Sequence, residues 1–116
     1  MPKSVEYYLG IGFDRPMAEY YAAGRKKIVA VQPCPDFSLL LTFDNGEKRR
    51  YDCKSFFEKG TVFEPLMNYA DFCRVYLDDT NAVSWDIDPT VDSSMVWSNK
   101  IDLSPDGCYV DSIPVS

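Results

Sequence analysis

Residues 37–53 restrict the fold more than any other stretch of the chain. Phe37, Leu39, Leu41 and Phe43 alternate with Ser38, Leu40 and Thr42, which is the period of a strand with one face in a core. Asn45-Gly46 follows as a strong turn signal, and residues 47–53, Glu-Lys-Arg-Arg-Tyr-Asp-Cys, read as the returning strand. A two-residue Asn-Gly loop would set Phe43 against Lys48, Leu41 against Arg50 and Leu39 against Asp52, with a charge opposite every core residue. A three-residue loop, Asp44 to Gly46, has a type I turn with Gly46 in the left-handed bulge position. It sets Leu39 against Tyr51 and Phe37 against Cys53. A slip of one residue turns every side chain to the other face, so the apolar pattern selects the three-residue loop. Lys48, Arg50 and Asp52 are then expected on the face away from the core, with Ser38, Leu40 and Thr42.

The remaining elements are short. Residues 4–9 are a candidate strand of poor alternation. Asp14 followed by Pro16 marks a helix start, with Asp as N-cap and Pro in the first turn, where its missing N–H costs nothing. Gly24 fits the end of that helix, and Arg25, Lys26 and Lys27 lie beyond its negative pole. Residues 28–31 are a β-branched run ended by Pro33. Ser55 is placed to cap a short turn over residues 56–59, and Asn68 to cap another short helix. Residues 75–77 and 82–85 flank Asp78-Asp79-Thr80-Asn81 as a second hairpin. Residues 86–94 form a polar loop, residues 95–97 are apolar, and Ile101, Leu103, Tyr109 and Val110 are candidates to close the core. A chain of 116 residues holds one domain. The expected fold is a single α+β domain, a mainly antiparallel sheet with short helices.

Several chemistries are set aside by residue type. The chain has no histidine, which removes Ser-His and Cys-His nucleophile pairs, the imidazole base and the commonest zinc ligand. An enzyme built on carboxylates remains a third hypothesis, but the expectation is no enzyme and no cofactor. Cys34, Cys53, Cys73 and Cys108 are separated by 18, 19 and 34 residues, with no C-x-x-C, so neither a redox pair nor a zinc ribbon is indicated. They read as free thiols, Cys53 and Cys73 as small core residues and Cys34, between two prolines, as exposed. No signal peptide and no apolar run of about 18 residues is evident, so the expected location is cytoplasmic, without a membrane. Gly10-Ile11-Gly12 is only a fragment of a dinucleotide fingerprint, because Arg15 stands where the third glycine belongs. Asp86, Asp88 and Asp92 are spaced like half a calcium loop. Pro89, Val91 and Trp97 occupy positions that such a loop cannot give them, so a solvated acidic loop is the expectation.

Charge is distributed unevenly. Residues 1–59 carry ten Lys and Arg against eight Asp and Glu, whereas residues 60–116 carry two against ten. A net charge of −6 argues against nucleic acid as a partner of the isolated chain. The acidic half is suited to steer a basic partner or to pair with the basic part of a second copy. The short basic runs at 25–27 and 48–50 have two readings: the charged face of an edge strand, or a site for an acidic partner or an RNA backbone. Trp85 and Trp97 read first as core or rim, with ligand stacking as the alternative.

Residues 28–110 resemble a known family. The string runs from Val31 through Asp36-Phe37-Ser38-Leu39-Leu40-Leu41-Thr42-Phe43-Asp44-Asn45-Gly46-Glu47 and Tyr51-Asp52. It continues with Phe63-Glu64-Pro65-Leu66 and Phe72-Cys73-Arg74-Val75, and ends in Val96-Trp97-Ser98-Asn99-Lys100-Ile101-Asp102-Leu103-Ser104-Pro105-Asp106. This is similar to the domain of unknown function 2442 family, small bacterial α+β proteins. The family usually has Pro at the place of Ser98 and Gly at that of Lys100, and its loop corresponding to 80–94 is shorter. The resemblance divides the chain into an N-terminal extension with a short helix, residues 1–27, and an α+β domain, residues 28–116. It implies an antitoxin-like component of a bacterial toxin–antitoxin pair, and carries over no catalytic residue.

With the acidic half, this sets the leading expectation: a protein-interaction module that binds a small cognate protein, a toxin. Asp78, Asp79, Asp86, Asp88, Trp97 and Asp102 are the candidate contacts, and a homodimer is a further candidate assembly. Neutralising Asp78, Asp79, Asp86 and Asp88 is expected to slow association and leave the fold intact. The alternative function is a small-ligand-binding domain with a pocket near Trp85 and Trp97.

Overall fold

The 37–53 segment folds in the register that its apolar pattern selects. The computed structural model describes residues 3–54, 57 and 60–115. In it β1 (Ile28–Pro33), β2 (Ser38–Phe43) and β3 (Lys48–Asp52) pair antiparallel. Leu39 lies opposite Tyr51, Leu40 opposite Arg50 and Leu41 opposite Arg49. The loop has three residues: the Phe43 N–H donates to the Glu47 carbonyl at 2.9 Å, and the Gly46 N–H to the Phe43 carbonyl at 2.9 Å. Gly46 has φ +86°, the conformation that a residue without Cβ adopts freely. Leu39, Leu41 and Phe43 are buried, whereas Lys48, Arg50 and Asp52 are exposed. Ser38 departs from the expectation, for it faces outward yet is buried. The Arg50 guanidinium reaches both Asp36 and the Ser38 hydroxyl and covers it. Phe37 meets Cys53 as expected, its carbonyl accepting from the Cys53 N–H at 3.1 Å, but it takes φ +63° in the turn before β2 and is not part of the strand. Its ring packs against Phe57, Tyr69 and Phe72 at centroid distances of 5.2–5.9 Å.

β3 is not an edge. A two-residue strand, β7 (Ile113–Pro114), pairs with it at Arg49 and Arg50. Arg49 turns inward, its Nε donating to Ser112 Oγ and Nη2 to the Ser112 carbonyl, each at 2.7 Å. It also pairs with Glu47, and its guanidinium lies 4.2 Å from the centre of the Tyr109 ring. The basic run at 48–50 is therefore partly a clamp that holds the C-terminal segment.

At the N-terminus the candidate strand is a helix. Ser4 Oγ accepts from the Tyr7 N–H at 3.2 Å and starts α1 (Val5–Gly10). The Ser cap outweighs a weak alternation, and Tyr8 then stacks on Phe13 and meets Tyr21. α2 (Arg15–Ala23) begins at Asp14, whose carboxylate accepts from the Met17 N–H at 3.0 Å, and ends at Gly24 with φ +102°. Short helices α3 (Tyr69–Phe72), capped by Asn68, and α4 (Pro105–Val110), capped by Ser104, follow. α2 docks on α4 through Asp106, which accepts from the Tyr20 hydroxyl at 2.7 Å, the Tyr21 hydroxyl at 2.9 Å and the Arg25 guanidinium at 2.9 Å.

A second antiparallel sheet is formed by β4 (Tyr76–Leu77), β5 (Val83–Asp86) and β6 (Lys100–Leu103), in that order. The core includes Leu39, Leu41 and Phe43 of the first sheet, Val83, Trp85 and Ile101 of the second, and Phe72 of α3. Trp85 stacks on Phe72 at 5.8 Å and donates its indole N–H to the Phe72 carbonyl at 2.8 Å. Cys53 and Cys108 are buried, Cys34 is half-buried, and all four cysteines are free. Cys73, expected inside, is exposed: it follows α3 one residue beyond Phe72, which takes the core position. Of the turn expected over 56–59, only Phe57 is among the described residues. No helix among the described residues is long and apolar enough to cross a membrane.

Candidate functional site

The acidic residues of the C-terminal half meet on the second sheet. Val83, Trp85 and Ile101 turn to the core, so alternation sends their neighbours to the opposite face. Register then aligns Tyr76 with Ser84 and Ser84 with Asp102, and places Asp86 beside Lys100. Asp78, one residue past β4, closes the same face.

Asp78 is the organising group. Its Oδ1 accepts from the Thr80 N–H (2.9 Å), the Thr80 hydroxyl (2.7 Å) and the Ala82 N–H (3.0 Å). Its Oδ2 accepts from Lys100 Nζ (2.7 Å) and the Ser84 hydroxyl (3.3 Å). Burial alone would raise this carboxyl, but the Lys100 ammonium, Thr80 and the backbone N–H groups outweigh it and hold it well below the usual carboxylate range. The Asp78 side chain is only 7% exposed. It is therefore a bonded, buried carboxylate and not a free loop charge, and its neutralisation is expected to cost stability.

Asp86 accepts from the Tyr76 hydroxyl at 2.8 Å and from Ser93. Burial, then that bond, pushes the Tyr76 hydroxyl up to about 12. Asp79 and Asp102 are exposed. Asp88 is exposed and accepts from the Thr90 hydroxyl and N–H, and Asp92 repeats the arrangement with Ser94. Those bonds lower both carboxyls. The half-calcium spacing thus becomes a chain of local turns, and no cluster of three metal-ligating side chains occurs among the described residues. A cavity of about 590 Å³ opens between Tyr76, Asp86 and residues 89–94. Neither tryptophan lines it.

Each of the two cations of the acidic half already has one carboxylate partner within the chain. Arg74 pairs with Asp71 and Lys100 with Asp78, each at 2.7 Å. Asp79, Asp86, Asp88, Asp92 and Asp102 have no ion pair among the described residues.

Asn99, which the sequence reading passed over, knits this region together. It is buried on the 3-10 turn Trp97–Asn99. Its Oδ1 accepts from the Asp88 N–H at 2.9 Å, and its Nδ2 donates to Asp88 and Val91 carbonyls and to the Ser93 hydroxyl at 3.0–3.2 Å. Its place in the Trp-x-Asn string was the available signal. Trp97, read first as core or rim, is 83% exposed, beside Met95 at 81% and Val96 at 46%. Trp85 is fully buried. Of the six candidate contacts, Asp78, Asp86 and Asp102 share one sheet face, Asp79 and Asp88 sit in its flanking turns, and Trp97 projects from the turn that leads into β6.

Two antiparallel sheets with short helices define an α+β protein with an acidic sheet face and, on the turn before β6, an exposed tryptophan. A family model described as "Protein of unknown function (DUF2442)" matches residues 28–113, and the chain belongs to this family. The match encloses the acidic sheet face and Trp97 and leaves α1 and α2 outside. No curated protein and no solved structure matches the chain.

Proposed function

We propose that the protein is a non-catalytic interaction module that binds a small basic cognate protein in an antitoxin-like role. Trp97 is the observation that carries this reading. A side chain of that size hides on the order of 150–250 Å² when covered, and one left 83% exposed is suited to anchor a partner, as tryptophans at interface centres do. The carboxylates of the same half of the chain supply the sign of the partner. Asp79, Asp86, Asp88, Asp92 and Asp102 would steer lysine- and arginine-rich surfaces by long-range attraction. The absence of histidine from the sequence favours binding over proton-transfer chemistry. Antitoxin-like pairing comes from the family resemblance. A small-ligand pocket near Trp85 and Trp97 has less in its favour, because one ring is sealed in the core and the other stands in solvent.

The test is a photo-reactive phenylalanine analogue in place of Trp97, expressed in the native host. Adducts are identified by mass spectrometry and the purified partner is then titrated. A basic protein is expected whose binding weakens at least tenfold in Trp97→Ala and whose association slows as salt rises. An adduct partner that binds Trp97→Ala as tightly as wild type would overturn the reading.

A further inference from the structure

The two sheets of the structure have four edges, and three are blunted. β1 bulges between Ile28 and Ala30 and ends at Pro33, and the Asn81 side-chain amide donates to its Ile28 carbonyl at 3.2 Å. β4 has two residues. β7 also has two, one of them Pro114, which has no N–H. Natural sheets close their edges with such devices. β6 carries the charged side chains of Lys100 and Asp102 but none of those backbone devices: four residues, Lys-Ile-Asp-Leu, with no proline and no irregularity in its pairing with β5.

The hydrogen-bond parity of β6 follows from its start. The Ile87 N–H donates to the Asn99 carbonyl at 2.7 Å, so Ile87 and Asn99 form a hydrogen-bonded pair. Such pairs recur at every second residue, so Ile101 and Leu103 also direct their backbone groups at β5. Lys100 and Asp102 direct theirs away from the sheet. The Lys100 N–H is satisfied by the Trp97 carbonyl. The Lys100 carbonyl and the Asp102 N–H remain to face outward.

We propose that a second copy of this chain pairs with β6 antiparallel across a two-fold axis, joining two three-stranded sheets into one of six. The register follows from charge. Backbone groups that point outward belong to Lys100 and Asp102, so the symmetric choices place either a residue opposite its own copy, Asp102 on Asp102 or Lys100 on Lys100, or Lys100 opposite Asp102. The first sets like charges face to face and is destabilising. The second makes an opposite-charge pair twice, once on each side of the axis, and lets each Asp102 N–H donate to the Lys100 carbonyl of the other copy. Ile101 then meets its own copy at the axis in a non-hydrogen-bonded pair. An isologous contact of this kind closes at two chains and does not propagate. It also doubles the acidic face, setting two copies of Asp78, Asp86 and Asp102 on one continuous sheet.

The experiment is sedimentation of the purified chain over a concentration series, with three variants. Wild type is expected to pass from the mass of one chain to that of two. Asp102→Lys should weaken association about tenfold, because both cross-strand pairs change from attraction to repulsion. Asp102→Pro should abolish it by removing the edge N–H, while proline remains tolerated at an edge position. Asp102→Asn should fall between wild type and Asp102→Lys. Melting curves check that each variant is folded. In a dimer mixed from labelled and unlabelled chains, an intermolecular contact between the Ile101 α-protons fixes the register independently of any variant. A wild-type chain that stays single at all concentrations would overturn the proposal. So would a dimer that lacks the Ile101 contact.

Discussion

Replacing Asp78 by Asn separates a structural carboxylate from a surface charge. The amide oxygen can keep the three bonds of Oδ1, from Thr80 and the Ala82 N–H. The amide nitrogen cannot replace Oδ2. It loses the acceptor for Lys100 Nζ and Ser84, and it turns N–H groups toward an ammonium. Hydrogen bonds to charged groups contribute roughly 1.5–3 kcal/mol. Lys100 keeps 28% of its side chain in solvent, and its hydration offsets part of the loss. The expected cost of Asp78→Asn is about 2 kcal/mol, or a melting temperature lower by roughly 8 °C at this chain length. Asp79→Asn, one residue on and exposed, should stay within about 0.5 kcal/mol of wild type. The pH dependence has a definite sign. The folded-state Asp78 carboxyl titrates below its unfolded counterpart, so its contribution is complete above about pH 3.9 and drains away as pH falls toward the folded value. Urea titrations of the three proteins at neutral and acid pH measure this. An Asp78→Asn variant as stable as wild type at neutral pH, or a gap that widens in acid, would refute the reasoning.

Gly46→Val forces a β-branched residue to φ +86° and should cost about 1–3 kcal/mol; an unchanged melting temperature would contradict the three-residue loop. Asp106→Ala leaves the Tyr20 and Tyr21 hydroxyls and Arg25 without their shared acceptor. It should cost about 2–3 kcal/mol and speed amide exchange in residues 5–23 more than in β2. A thiol reagent should modify Cys34 and Cys73 in the folded protein, and reach Cys53 and Cys108 only on unfolding. Both of the latter are buried, and burial pushes the Cys108 thiol up to about 12.

What the sequence disclosed was local. The β2–β3 register was legible because a period of two and the chemistry of Asp44-Asn45-Gly46 act within one hairpin. The caps at Asp14 and Asn68 were legible for the same reason. α1 is hard to read because its aromatics satisfy neither period well, and the partners that decide, Phe13 and Tyr21 against Tyr8, lie beyond it in the next turn and helix. β7 left no mark, since two residues that include a proline make no pattern. The candidate surface was half legible. Asp78-Asp79-Thr80-Asn81 announced a turn, but the cation that fixes Asp78 lies 22 residues away. Only the pairing of β4, β5 and β6 brings Asp78, Asp86 and Asp102 to one face. Size alone points Trp97 to the core or its rim, yet the Asn99 bonds to the 88–93 loop secure that turn without burying the tryptophan ring.

The proposed role rests on a partner seated against Trp97 and the acidic face. The most direct measurement is photo-crosslinking in the native host with the reactive group at position 97 and, as a control, at position 29 on β1, where Val29 is also exposed. A predominant adduct to one small basic protein at 97 and none at 29, with binding by the purified pair lost in Trp97→Ala, is the predicted result. Equal labelling at both positions, or a partner indifferent to Trp97→Ala, would contradict it.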